Sequence, residues 1–144
     1  NRMDEIKRYL IRLGYDNVYG YLSGGFPVWF KGSGDFETEQ TWSVHDLLPN
    51  MGKNALFLVD GSKEDDWNKE RIDGSHNIYI GILKDHLDKV PKDKHVVVSC
   101  DTGYKASIGT SILKMNGYKN VTNVLGSMTA WKKAGYPVVK GNLK

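Results

Sequence analysis

Cys100 is the only thiol in the chain. It closes the apolar run His95-Val96-Val97-Val98-Ser99-Cys100, and Asp101-Thr102-Gly103-Tyr104-Lys105-Ala106-Ser107 follows before a helical pattern that begins around Ile108. The thiol therefore stands where a strand ends, a glycine-bearing loop turns and a helix starts. First-turn amides of a helix have no intrahelical acceptor, the helix dipole is positive at that end, and successive loop amides form anion nests. Such a field, with the Lys105 cation beside it, favours a thiolate, the nucleophilic form of cysteine. The plainer alternative is a small buried hydrophobe, which suits a mid-strand cysteine better than one beside a glycine and a cation. Asp101 opposes the thiolate unless its carboxylate points to solvent.

Other chemistries find less support. His45, His76, His86 and His95 show no i,i+4 or paired-cysteine spacing, so no metal is expected. Gly24, Gly25, Gly32 and Gly34 fit no dinucleotide or Walker pattern, and no cofactor is expected. The net charge is +3, with lysines scattered rather than striped, so nucleic acid is not an expected partner. No apolar run approaches membrane-spanning length, and Asn1-Arg2-Met3-Asp4-Glu5 is not a secretory leader. A lone cysteine suits a reducing compartment, and a cytoplasmic location is expected.

The elements that must position Cys100 alternate along the chain. Ala55-Leu56-Phe57-Leu58-Val59-Asp60 reads as a buried parallel strand ending in an acid. A short polar helix is expected over Glu64 to Arg71, a short strand over Asn77 to Ile80, and a helix over Ile82 to Leu87 that Pro91 stops. After the strand into Cys100 come a helix marked by Ile108, Ile112, Leu113 and Met115, a strand over Val121 to Leu125, and a helix over Met128 to Lys133. The expected fold is α/β, a parallel sheet with helices on both faces, in which ligands bind at the carboxyl ends of strands.

The chain also repeats itself. Gly14-Tyr15-Asp16-Asn17-Val18 matches Gly117-Tyr118-Lys119-Asn120-Val121. Leu22-Ser23-Gly24-Gly25-Phe26 and Trp29 match Leu125-Gly126-Ser127-Met128 and Trp131, with one extra residue in the first copy. Residues 1–33 thus read as a helix-strand-helix remnant of an earlier copy, residues 34–39 as a linker continuing the flexible Gly32-Ser33-Gly34, and residues 40–140 as the cysteine domain. The remnant's strand is expected around Asn17 to Leu22 and its second helix around Gly25 to Phe30. Such a strand must pack on the cysteine domain, pair with another chain, or stay disordered. A homodimer through residues 1–33 is the favoured expectation.

The chain resembles the rhodanese (sulfurtransferase) family over about residues 40–140. The resemblance rests on Leu58-Val59-Asp60 with Trp67, on Ile72-Asp73-Gly74-Ser75, on Val98 through Ser107, on Gly117-Tyr118-Lys119-Asn120-Val121, on Leu125-Gly126, and on Ala130-Trp131-Lys132-Lys133-Ala134-Gly135-Tyr136-Pro137-Val138. The whole layout resembles the C-terminal part of proteins in which two rhodanese-like copies follow a metallo-β-lactamase-fold domain, some of them persulfide dioxygenases. The resemblance implies that Cys100 is the catalytic nucleophile, carrying a sulfane sulfur as a persulfide from a small donor (thiosulfate or a persulfide) to a thiol acceptor. It further implies that Asp101, Thr102, Gly103, Tyr104 and Lys105 form the substrate-binding cradle.

Several residues depart from the family's pattern. Lys105 stands where arginine is common and cannot form a bidentate fork. Gly61-Ser62 replaces a usual Val-Arg, Glu70-Arg71 a usual Gly-His, and Ser127 a usual glycine; the first two are expected to remove a supporting ion pair. The alternatives are a non-catalytic rhodanese-like binding module and a cysteine-dependent phosphatase or arsenate reductase. Trp131 and Trp29 are expected in the core, Trp67 half-exposed on its helix, and His76 and His95 in structural roles. Tyr104 is expected to line or cap the pocket mouth.

Overall fold

The computed structural model describes residues 2–32 and 34–141, so Ser33 of the expected linker lies outside the described residues. The chain divides into two compact units, Asn1–Glu37 and Thr38–Lys144.

The first unit holds α1 (Arg2–Arg12) and α2 (Gly25–Lys31), and neither helix has a buried residue. The strand expected around Asn17 to Leu22 does not form: these residues have no regular secondary structure, and among the described residues this unit has no second strand to accept their hydrogen bonds. Trp29, expected in a core, is 44% exposed.

The second unit is the expected α/β fold. Its elements run β1 (Gln40–Trp42), α3 (Val44–Leu47), β2 (Leu56–Asp60), α4 (Glu64–Lys69), β3 (Glu70–Arg71), β4 (Ser75–Asn77), a 3-10 segment (Ile80–Lys89), β5 (His95–Ser99), α5 (Tyr104–Met115), β6 (Val121–Val124), α6 (Ser127–Lys133) and β7 (Val139–Lys140). Five parallel strands form one sheet in the order β1-β6-β5-β2-β4, while β3 and β7 make a separate antiparallel pair.

Side chains alternate across the pleat, so β5 feeds two cores. Val96 and Val98 join Val59, Leu83, Leu113, Tyr118 and Cys100 on one face. Val97 joins Leu58, Val44, Leu47, Val124 and Trp131 on the other. Tyr118 is fixed in the first core by donating to the carbonyls of Leu87 and Val90, both at 2.8 Å.

Several expected elements differ. The helix expected over Ile82 to Leu87 is the 3-10 segment Ile80–Lys89, with non-helical backbone at His86. The acidic helix stops at Lys69, since Glu70 and Arg71 pair with β7. The strand expected over Asn77 to Ile80 lies at Ser75–Asn77, in register with Leu58–Asp60. The helix expected from Ile108 begins at Tyr104, because the polar first turn shows no apolar periodicity.

Candidate active site

The early start of α5 shortens the loop after β5. The turn runs from Cys100 to Gly103, and Tyr104 and Lys105 belong to the first helical turn. Gly103 takes φ 105°, a left-handed value that suits glycine, and a Cβ there would come within 3.3 Å of the Gly126 amide nitrogen. This turn brings the Gly103 N–H onto Cys100 Sγ at 3.1 Å. The first helical bond of α5 runs from Ser107 N to Gly103 O, so the amides of Tyr104, Lys105 and Ala106 are not used by the helix. Cys100 is only 1% exposed, packed against the first core at the carboxyl edge of the sheet.

A second helix start holds the turn from the other side. Met128 N donates to Cys100 O at 3.0 Å, and Thr129 donates to Asp101 O through its amide at 2.9 Å and its hydroxyl at 3.1 Å. The entry to α6 is left-handed at Gly126 and at Ser127, with φ 69° and 46°. Ser127 therefore occupies a position that favours glycine, and its buried hydroxyl answers by donating to Val124 O at 2.9 Å. Little of this clamp was legible from residue types, because two of its three donors are backbone amides.

The predicted cradle residues separate by exposure. Asp101, Thr102 and Tyr104 face solvent, Tyr104 at 83%, whereas Gly103 and Lys105 are half-buried. Tyr104 covers nothing as the molecule stands.

Asp60 is a neighbour whose role the sequence reading missed. It ends β2 beside the turn, is 2% exposed, and accepts from the Ser62 amide at 2.9 Å. Its signal was an acid closing an apolar strand at the ligand-binding edge of a parallel sheet. Burial pushes its carboxyl above the ordinary range; hydrogen bonds from Ser62 and the Lys105 ammonium pull it back, and Asp101 pushes it further up. Asp60, Ser62, Asp101, Met128 and Lys132 line a cavity of about 450 Å³. At the first departure, Ser62 holds the Asp60 carboxylate through its backbone amide. Glu70, the other departure, pairs with Lys132 at 2.8 Å, while the Arg71 guanidinium stacks 4.4 Å over half-exposed Trp67. Of the two histidines expected in structural roles, His95 bonds Thr122 Oγ1 through Nε2 at 2.8 Å, and His76 stacks on Phe57.

The sign of the Asp60 effect on stability follows. A carboxyl raised in the folded state contributes stability below its unfolded pKa, and that contribution is lost as pH rises through the folded value. Asp60→Asn keeps an acceptor for Ser62 and cannot ionise. Its melting temperature should exceed the wild type's at pH 7, with the difference shrinking toward about pH 4. Melts across that range showing no gain, or a gain that grows with acidity, would contradict the assignment.

With the fold and turn in view, the comparisons are consistent. Residues 43–134 match the rhodanese-like domain. A sulfurtransferase of Allochromatium vinosum is 34% identical over 84 residues, 58% of this chain and 78% of that protein. An adenylyltransferase and sulfurtransferase of Ogataea parapolymorpha is 29% identical over 134 residues, 90% of this chain. The chain spans only 31% of that protein's length. A rhodanese-related protein from Thermoplasma volcanium superposes with TM-score 0.64 at 27% identity, over 69% of this chain and 97% of that one. The chain belongs to the rhodanese-like domain family. Sulfur transfer is the general role that its relatives' names carry.

Proposed function

We propose that this chain moves sulfane sulfur through a persulfide on Cys100. The observation that carries this reading is a near-sealed thiol whose sulfur already receives the Gly103 amide at 3.1 Å. The thiolate attacks the outer sulfur of a persulfide or thiosulfate donor. That S–S bond breaks, its electron pair leaves as a thiolate or sulfite, and Cys100 holds the transferred sulfur. An acceptor thiolate then attacks the same outer sulfur and releases Cys100 as thiolate. The transfer has two half-reactions and no net redox change within the protein. The amides of Tyr104, Lys105 and Ala106 receive the negative outer sulfur, while Asp101 and Thr102 border its entrance. The sealed surroundings of Sγ favour donors that present a single exposed sulfur atom over bulky electrophiles.

The direct test is intact-protein mass spectrometry after incubation with a persulfide donor. One added sulfur on Cys100 is expected, discharged by an added thiol. An unmodified protein that still transfers sulfur would refute the reading.

Lys105 supplies charge at the mouth of the turn and touches no reacting bond. Lys105→Ala should therefore raise the donor KM several-fold more than it lowers kcat, as loss of uniform binding does. The penalty should be greater for thiosulfate than for an organic persulfide, because thiosulfate carries more charge. A collapse of kcat at constant KM would overturn this role.

Residues 2–32 read as the tail of an earlier rhodanese-like copy. The support is geometric: Gly14 and Gly117 end α1 and α5 at φ 87° and 85°, and Gly24-Gly25 and Gly126-Ser127 enter α2 and α6 through paired left-handed residues. A preceding metallo-β-lactamase-fold domain remains part of the same proposal and lies outside these residues.

A further inference from the structure

Cys100 is 1% exposed, so only the outer sulfur of a donor reaches it, and the rest of the donor must be held elsewhere. The cavity beside the turn can hold it. Asp101, the residue after the nucleophile, forms part of its wall, and so does Met128, whose amide holds the Cys100 carbonyl at 3.0 Å. Its volume of about 450 Å³ lies in the range that takes small organic molecules, and an ion the size of thiosulfate fills little of it.

The wall carries both signs of charge, and most of these charges are already answered within the protein. Lys69 reaches Asp66 at 3.4 Å, Lys132 reaches Glu70 at 2.8 Å, and buried Asp60 accepts the Ser62 amide at 2.9 Å. Asp101 and Lys140 are different. Both are exposed, and among the described residues neither side chain has a salt-bridge or hydrogen-bond partner. The cavity thus presents one open negative group, on the turn after β5, and one open positive group, on β7. A dianion gains at one and loses at the other, whereas a ligand with an ammonium and a carboxylate gains at both.

We propose that this cavity selects the donor by its head group, taking small organic persulfides that carry both an ammonium and a carboxylate, with Asp101 receiving the ammonium and Lys140 the carboxylate. This selectivity rests on the Cys100 persulfide route and adds its substrate class. Persulfides of the amino-acid kind are preferred over thiosulfate and over persulfides that lack either charge. Lys105 serves the sulfur end of any donor, whereas Asp101 and Lys140 read the end that leaves as thiol. Neither of these two side chains belongs to either core, so substituting them leaves the fold in place.

Steady-state transfer by the whole chain from three donors tests the proposal. The donors are cysteine persulfide, its N-acetyl analogue, which lacks the ammonium, and cysteamine persulfide, which lacks the carboxylate. Each variant is read as a change in the ratio of kcat/KM between two donors, so that the intrinsic reactivity of each persulfide cancels. Asp101→Asn should lower the ratio of cysteine persulfide to its N-acetyl analogue about fivefold, the ceiling for one exposed ion pair. Lys140→Gln should lower the ratio of cysteine persulfide to cysteamine persulfide by as much. Each variant should move the other ratio by less than about twofold. An effect of Asp101 on the Cys100 thiolate touches all three donors alike and drops out of the ratios. If mass spectrometry shows Cys100 loaded by all three donors while the ratios stay fixed, or while both ratios move equally in both variants, the selectivity is overturned and the persulfide route stands. No added sulfur from any donor would overturn both.

Discussion

Cys100→Ser should abolish sulfur transfer, by at least about a thousandfold, while the protein still folds. A hydroxyl at this position accepts the Gly103 amide as the sulfur does, so the turn keeps its partner and the buried site is not left unsatisfied. What disappears is the nucleophile, and covalent transfer has no second thiol to use. The variant should take up no sulfur by mass spectrometry, and its melting temperature should fall by only a few degrees. Retained turnover would show that sulfur passes directly between donor and acceptor, with the turn acting only as a binding site.

Trp131→Ala removes the largest fully buried side chain of the second unit. The indole is 2% exposed, donates to Pro137 O at 2.8 Å, and packs edge-on against Tyr136. Truncation leaves a cavity between α6 and the sheet and should cost about 3–5 kcal/mol. That is a large share of the ~5–15 kcal/mol that holds a domain together. Chemical denaturation should show a lower midpoint with transfer activity retained below it. Trp29→Ala, at the matching place in the repeat, should leave that transition where it is. Equal effects at the two tryptophans would mean that the exposed copy is covered by the second unit.

The site and the sheet were legible to different depths. The apolar runs at Leu56–Asp60 and His95–Ser99 are hydrophobic on both faces, as a covered parallel sheet requires, and Val121–Val124 is buried throughout. The strand-turn-helix around Cys100 was legible because its glycine and polar residues break that run. β1 and β7 were not, since two or three residues carry too little periodicity and exist only through their partners.

The sequence by itself determined the α/β alternation, the single thiol at a strand end, and a repeated helix-glycine-strand-glycine-helix pattern. Those features are local, set by side-chain period and by where glycine permits a left-handed turn. Tertiary structure decided the rest. It brought the α6 amides onto the Cys100 turn, drew Asp60 to its side, and made Trp131 a core residue while Trp29 stayed in solvent. Hydrogen-bond partners and burial belong to pairs of segments, and the Gly-Tyr segment at residues 14–22 forms no strand because no neighbouring strand of its unit accepts its backbone.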